Sequence, residues 1–306
     1  MPTIFTIGEA IYDIIFQNGR PTAAKPGGSM LNTAVSLGRC GLNVEMITEI
    51  GDDQVGGIVM DFLHENGVST SFIQPVDGFK TPVSLAFLDK YGNARYSFYK
   101  NYPEDRLNLE WPLATRGDVV LFGSFYSLDK AVHAKIISFI KKSKANGATI
   151  IYDPNIRKNH LEEIKNLMHI VEENISLADI IRGSDEDFEN LFGLKESEKV
   201  FHRIKSSGCR HLFYTQGAEG AELLSDGLRL HVPSGKIDVV STIGAGDAFN
   251  AGIIFGIVNK GIVVDELVDI SKETWSELIG FGINFASDVC QGFDNYISME
   301  LAQKIK

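Results

Sequence analysis

Cysteine is scarce in these 306 residues: Cys40, Cys209 and Cys290 lie far apart and are odd in number. That excludes a disulfide framework and a Cys-x-x-Cys metal knuckle, and fits a reducing compartment. Each of the three reads as a small buried hydrophobe. A membrane-length apolar run is missing too, since Ala251 to Val258 stops at Asn259-Lys260. Met1 to Glu9 has no basic segment and meets an acid too early for a secretory signal, so the expected location is the cytoplasm. Positive charge is in deficit, with 29 Lys plus Arg against 40 Asp plus Glu and a balance of −11. A surface that acidic repels phosphate backbones and anionic bilayers, so no nucleic acid and no membrane is expected as a partner. Repeats, low-complexity tracts and Pro/Ser-rich linkers are absent, and one continuous α/β domain over 1–306 is expected.

Several chemistries lack their residues. There is no G-x-x-x-x-G-K-[ST] loop: Gly256 and Gly261 have the spacing, but Ile262 follows. Gly244-Ala245-Gly246 fails the dinucleotide pattern G-x-G-x-x-G because Phe249 takes the last place. No H-E-x-x-H or G-x-S-x-G occurs, and the seven histidines show no ligand spacing.

What is present is a rhythm. Hydrophobic residues make up 44% and charged residues 23%, ordinary globular usage. Short β-branched runs at Thr3–Gly8, Val44–Ile50, Asp118–Phe122, Thr149–Tyr152, Asp179–Ile181 and His211–Thr215 alternate with helical patterns. The spacing predicts a doubly wound, mostly parallel Rossmann-like sheet covered on both faces. Two stretches interrupt it. Ile11 to Phe16 runs on to a turn at Asn18-Gly19, and Pro82 to Lys100 is two extended runs around Tyr91-Gly92-Asn93. In the second, Tyr96 and Phe98 share one face, and Arg95, Ser97 and Tyr99 the other. A small antiparallel lid from 11–22 and 82–100 is expected, either covering a site or standing as a plain surface hairpin.

The segment Ser241 to Asn250 leads two glycines into an apolar helix. A helix N-terminus offers unpaired N–H groups and a positive dipole end, and glycines let an anion approach them. Asp247 in that place is either a helix cap or a carboxylate needed for proton abstraction or metal binding. Pro26 to Asn32 is a second glycine-rich entry into a helix; its amides and Asn32 suit hydroxyl groups, or it is simply a tight turn. Asp13 follows the first strand. Asp153-Pro154-Asn155-Ile156-Arg157 and Thr215-Gln216-Gly217-Ala218-Glu219-Gly220 both close strands at their carboxyl ends, where open α/β sheets bind ligands.

These four segments, in their order along the chain, resemble the signatures of the ribokinase-like (PfkB) carbohydrate kinases, and the likeness runs from about Thr3 to Gly292. The resemblance implies an ATP-dependent kinase phosphorylating a sugar hydroxyl, with ATP and Mg²⁺ required. It makes Asp247 the catalytic base and the amides of Gly244, Ala245 and Gly246 the anion hole. Asp13, Gly28, Asn32, Tyr99 and Arg157 would contact the sugar, and Thr215, Gly217 and Gly220 would lie along ATP. Asp187 would serve the metal, in a segment that departs from the family's Asn-x-x-Glu. Phe98-Tyr99-Lys100 looks most like fructokinases and 2-keto-3-deoxygluconate kinases. Fructose or a related ketose is the expected substrate; a keto-deoxy sugar acid, a nucleoside, or a non-catalytic sugar-binding role on the same scaffold are the alternatives. A homodimer through the lid is compatible with this reading. Ser241 replaces an acidic residue that helps hold a monovalent cation in relatives, so weak potassium stimulation is expected.

Overall fold

A computed structural model describes residues 1–88, 94–158 and 161–306; the turn expected at Tyr91-Gly92-Asn93 lies outside them. Strand β1 (Thr3–Ile7) opens the main sheet, and the chain then leaves it for β2 (Ile11–Gln17) and β3 (Arg20–Gly27) of a second sheet. It returns through α1 (Ser29–Arg39) to β4 (Asn43–Gly51), α2 (Gln54–Glu65), β5 (Val68–Ser69) and β6 (Ile73–Val76). A second excursion makes β7 (Val83–Leu88) and β8 (Ala94–Tyr99). Alternation then resumes with β9 (Val119–Gly123), α3 (Lys130–Ala145), β10 (Thr149–Asp153), α4 (Leu161–Leu177) and β11 (Ile180–Ser184). It continues through α5 (Asp185–Phe192), α6 (Ser197–Ser206) and β12 (His211–Thr215). A hairpin of β13 (Ala221–Ser225) and β14 (Leu228–Val232) precedes α7 (Ala245–Asn259), α8 (Lys272–Cys290) and α9 (Met299–Ile305).

The main sheet runs β14-β13-β12-β11-β10-β9-β1-β4-β5, with β6 beside β4. Its strands are parallel from β12 to β5, and the β13–β14 hairpin adds an antiparallel edge. Alternate strand residues feed two cores. Ile4, Leu121, Ile151, Ile180 and Phe213 face the layer holding α1, α7 and α8. Phe5, Phe122, Tyr152, Ile181 and Tyr214 face the layer of α3, α4, α5 and α6. Among the described residues no helix is long and apolar enough to cross a membrane.

The second sheet has the order β3-β2-β7-β8. It is mixed rather than antiparallel throughout: β2 pairs with β7 in parallel, and only the two outer pairs are antiparallel. The reason is delivery. β2 and β7 arrive by separate excursions from the carboxyl side of one parallel sheet, so they enter in the same direction, whereas a hairpin reverses it. Strand β3 also carries this sheet beyond the expected bound at 22, to Gly27.

Helix α7 is buried on all sides, and its seam with α8 is built on glycine. A Cβ at Gly252 would stand 2.4 Å from the Phe281 carbonyl oxygen, and one at Gly282 2.7 Å from the Phe249 ring. The two backbones therefore meet almost directly, which fixes the position of the first turn of α7.

Candidate active site

That first turn begins at Gly244, whose φ of 83° is left-handed and whose Cβ would collide with the Asn295 carbonyl oxygen at 2.5 Å; only glycine fits. No side chain caps the helix. The first intrahelical bond runs from the Ala248 N–H to the Gly244 carbonyl at 2.8 Å, so the amides of Ala245, Gly246 and Asp247 have no partner four residues back. The Ala245 amide makes only a 3.3 Å bond to the Thr242 carbonyl.

Asp247 is buried, 6% exposed, and its carboxylate does not turn back to cap the helix. The Ser29 hydroxyl donates to Oδ1 at 2.6 Å and the Asn32 amide to Oδ2 at 2.8 Å, both from α1. Asn155 reaches Oδ1 at 3.4 Å, and Thr33 donates to the Asp247 carbonyl at 2.9 Å. Of the two roles left open, that of a helix cap is therefore not the one its side chain takes. Burial pushes the carboxyl above the ordinary aspartate range, while the Asn32 and Ser29 hydrogen bonds and the charges of Arg157 and Arg182 pull it back. The balance is a carboxylate with raised proton affinity.

Gly28 starts α1 with φ 122°, and a Cβ there would lie 2.2 Å from the Glu9 carbonyl oxygen. Asn32, one turn in, keeps its Oδ1 buried without a hydrogen-bond partner. Asp13 on β2 accepts a hydrogen bond from Ser84 of β7, and Gly27 on β3 leaves it room, since a Cβ there would meet Oδ2. Burial raises the Asp13 carboxyl, against the Ser84 hydrogen bond and the charges of Lys25 and Arg157. The exposed Arg157 therefore acts on both Asp13 and Asp247. Tyr99 is not with them. The register Lys25↔Asp13↔Ser84↔Phe98 puts Phe98 on the Asp13 face. Tyr99, one residue on, points to the opposite face and is 61% exposed.

Beyond Gly28 lies a charged cluster that composition did not reveal. Lys100 donates to Glu9 at 2.6 Å, and Tyr102 hydrogen-bonds the other oxygen of that carboxylate. Arg106, 2% exposed, bonds Glu49 at 2.5 Å and pairs with Asp129, and its guanidinium stacks 3.5 Å from the Tyr102 ring centroid. Three carboxylates thus surround two cations.

At the carboxyl ends of β10, β11 and β12 a row of polar side chains lies on the α7 face. Asp153, fully buried, accepts from Arg182 at 3.1 Å and from Asn250 at 2.6 Å. Arg182 also donates to the Thr215 hydroxyl at 2.7 Å. Burial pushes the Asp153 carboxyl up to about 6, opposed first by Arg182. Gly217 (φ 54°) and Gly220 (φ 100°) shape the turn after Thr215; a Cβ at Gly220 would lie 2.2 Å from the Val232 carbonyl oxygen, so that glycine answers to the hairpin.

Asp187, expected to serve a metal, is used otherwise. One oxygen accepts the Ile156 amide at 2.8 Å, and the other accepts the Ser184 amide at 2.8 Å and the Ser184 hydroxyl at 2.6 Å. It closes a capping box on α5. Among the described residues, no group of three or more His, Cys, Asp or Glu is arranged around a metal position. Ser29 and Asn155 were missed as partners of Asp247, although both lie inside the glycine-rich and Asp-Pro-Asn segments already singled out. Arg182 had a signal too: it is the one charge in the strand Ile180–Ser184, which is buried on both faces.

The chain is similar to known carbohydrate kinases. Residues 1–300 match the pfkB family carbohydrate kinase. A fructokinase of Rhizobium leguminosarum bv. trifolii is 30% identical over 260 residues, spanning 82% of this chain and 78% of its own. A Vibrio cholerae fructokinase solved with fructose, ADP and calcium superposes with TM-score 0.86 at 19% identity, over 100% of this chain and 99% of that one. An aminoimidazole riboside kinase of Salmonella enterica, solved with its riboside and an ATP analogue, superposes at 0.84 with 18% identity, over 99% of both.

Proposed function

The chain belongs to the pfkB family of carbohydrate kinases, and on that premise we propose that it transfers the γ-phosphoryl group of ATP to a hydroxyl of a neutral ketose, fructose first among them. The observation that carries the reading is the Asp247 carboxylate. It is buried beside uncapped helix amides and held by Ser29 and Asn32, with its proton affinity raised.

In this mechanism Asp13 and Asn32 hold the sugar's hydroxyls, and Asp247 accepts the proton of the attacking one. That oxygen forms the new bond to phosphorus as the bond to ADP breaks, and ADP leaves with the electron pair. The first-turn amides of α7, with the macrodipole behind them, take up charge on the transferred group. Thr215 and the turn at Gly217 and Gly220 stand on the nucleotide side. Mg²⁺ commonly rides on nucleotide phosphates with few protein ligands. The Asp187 carboxylate, with three hydrogen bonds from Ile156 and Ser184, is used for the α5 cap.

The cluster beyond Gly28 favours a neutral sugar over a sugar acid. Lys100 and Arg106 are each neutralised by carboxylates, so a substrate carboxylate placed there would meet more negative charge than positive. Like-charge juxtaposition of that kind costs several kcal/mol. The test is ADP release with fructose, ribose, ketodeoxygluconate, aminoimidazole riboside and adenosine. Fructose should exceed ketodeoxygluconate in kcat/KM by at least about tenfold. A sugar acid or nucleoside turned over faster than every neutral ketose refutes the substrate assignment; no sugar-dependent ADP release at all leaves the non-catalytic alternative.

A further inference from the structure

A strand interior is a costly place for a charge, yet β11 carries Arg182 at 6% exposure. Strand alternation turns it, with Asp153 and Thr215, toward α7. Its guanidinium is engaged on three sides. Nη1 donates to Asp153 and Nη2 to Thr215. Its Nη1 and Nη2 side packs against Gly246, where a Cβ would come within 2.5 Å of Nη1 and 2.8 Å of Nη2. This is more than a counterion for Asp153 requires, since that carboxylate already receives Asn250 at 2.6 Å and the Asn155 amide at 3.0 Å.

Resting on the reading of Asp247 as the base, we infer that Arg182 is a positioning residue for phosphoryl transfer. Its guanidinium supports the first turn of α7 from beneath Gly246 and ties the base-bearing helix to the nucleotide-side strand end at Thr215. Two consequences distinguish this from plain ion pairing. The height of the Gly246 amide is set by contact with a planar group, so lysine is not an equivalent substitute. A fixed positive charge beneath the uncapped amides adds to the helix dipole where phosphoryl charge develops. The charged and polar groups facing Asp247 are Ser29 and Asn32 from α1, Asp153, Asn155 and Arg157 from β10 and its following loop, and Arg182 from β11.

Three full-length variants test this: R182Q, R182K and the double variant R182Q/D153N. Each is measured for kcat, both KM values, the pH profile of kcat and melting temperature. R182Q should melt lower, because Asp153 is left buried and unpaired. The double variant removes both charges together and should recover most of that melting temperature. Its kcat should stay at least about tenfold low, with sugar KM within about twofold. In R182Q the acid limb should move to higher pH, because a cation facing Asp247 is gone and the base protonates sooner, whereas the double variant also loses the Asp153 charge and should shift less. R182K keeps the charge beside Asp153, so a stable R182K with reduced kcat assigns the deficit to geometry. A double variant with native kcat overturns the inference and reduces Arg182 to a counterion. If R182Q fails to fold, the double variant carries the comparison. A native enzyme with no sugar-dependent turnover would instead overturn the underlying functional reading.

Discussion

Replacing Asp247 by Asn separates the chemical role of this side chain from its structural one. The present carboxylate accepts from Ser29 at 2.6 Å, Asn32 at 2.8 Å and Asn155 at 3.4 Å. An asparagine would keep its oxygen toward Asn32 and set its NH₂ against Ser29, whose hydroxyl rotates to accept. The two short charge-assisted bonds both become neutral and the new NH₂ meets the Asn155 amide donor to donor, a loss of about 2 kcal/mol in all. The burial that raises the Asp247 carboxyl is relieved at the same time. These changes oppose each other, so the melting temperature should move by only a few degrees, about what 1 kcal/mol produces in a chain of this size. The proton acceptor, however, is lost entirely, and general-base contributions run at about 10²–10⁴-fold, or about 2.7–5.5 kcal/mol of barrier. ATP affinity should hold or rise slightly, because one negative charge near the phosphates is gone. The assay is kcat, ATP affinity and melting temperature on the same preparation. A stable variant with near-native kcat would refute Asp247 as the base and, with it, the mechanism.

In Asp187→Asn the capping box loses its charged partner; stability should fall by about 0.5–2 kcal/mol, read by denaturant midpoint, while the Mg²⁺ concentration for half-maximal rate stays put. A large shift in that Mg²⁺ requirement would restore Asp187 as a ligand. The kcat–pH profile should fall as pH drops, with its midpoint above the ordinary aspartate value of 3.8, because Asp247 must be ionised to act and burial raises its proton affinity; a limb at or below 3.8 would contradict that environment. Potassium should stimulate the enzyme only weakly, because Ser241 brings no carboxylate and its hydroxyl accepts the Ile243 amide at 3.2 Å. Rates in potassium and in a bulky organic cation that differ tenfold or more would disprove it.

Much of this was legible in the chain because the relevant signals are local. Strands such as Val119–Gly123 and Thr149–Asp153 are buried on both faces, so they appear as uninterrupted apolar runs. The glycines before α7 announce a backbone that must meet something closely. The β13–β14 hairpin was overlooked because Glu222, Arg229 and His231 dilute its apolar pattern, although Asp226-Gly227 is a turn signal. Arg182 has partners 29 and 33 positions away, and only strand register brings them together. Alternation separated Phe98 from Tyr99, yet which of them faces Asp13 depends on pairing across three strands. Asp187 shows the limit of residue type: a carboxylate suits a cap and a cation equally, and the surrounding amides decide.

The mixed pairing within the second sheet bears on how the molecule comes to be. Asp13 and Ser84 sit side by side although 71 positions separate them in the chain. No hairpin can join parallel neighbours, so their contact must wait for the intervening segment, from α1 through β6, to find its place. Closing so long a loop is repaid only once that framework exists, which puts β2–β7 pairing among the late events of folding. The centre of the second sheet thus depends on a platform supplied by the main sheet and its helices, and its pairing carries the entropy cost of closing that long loop.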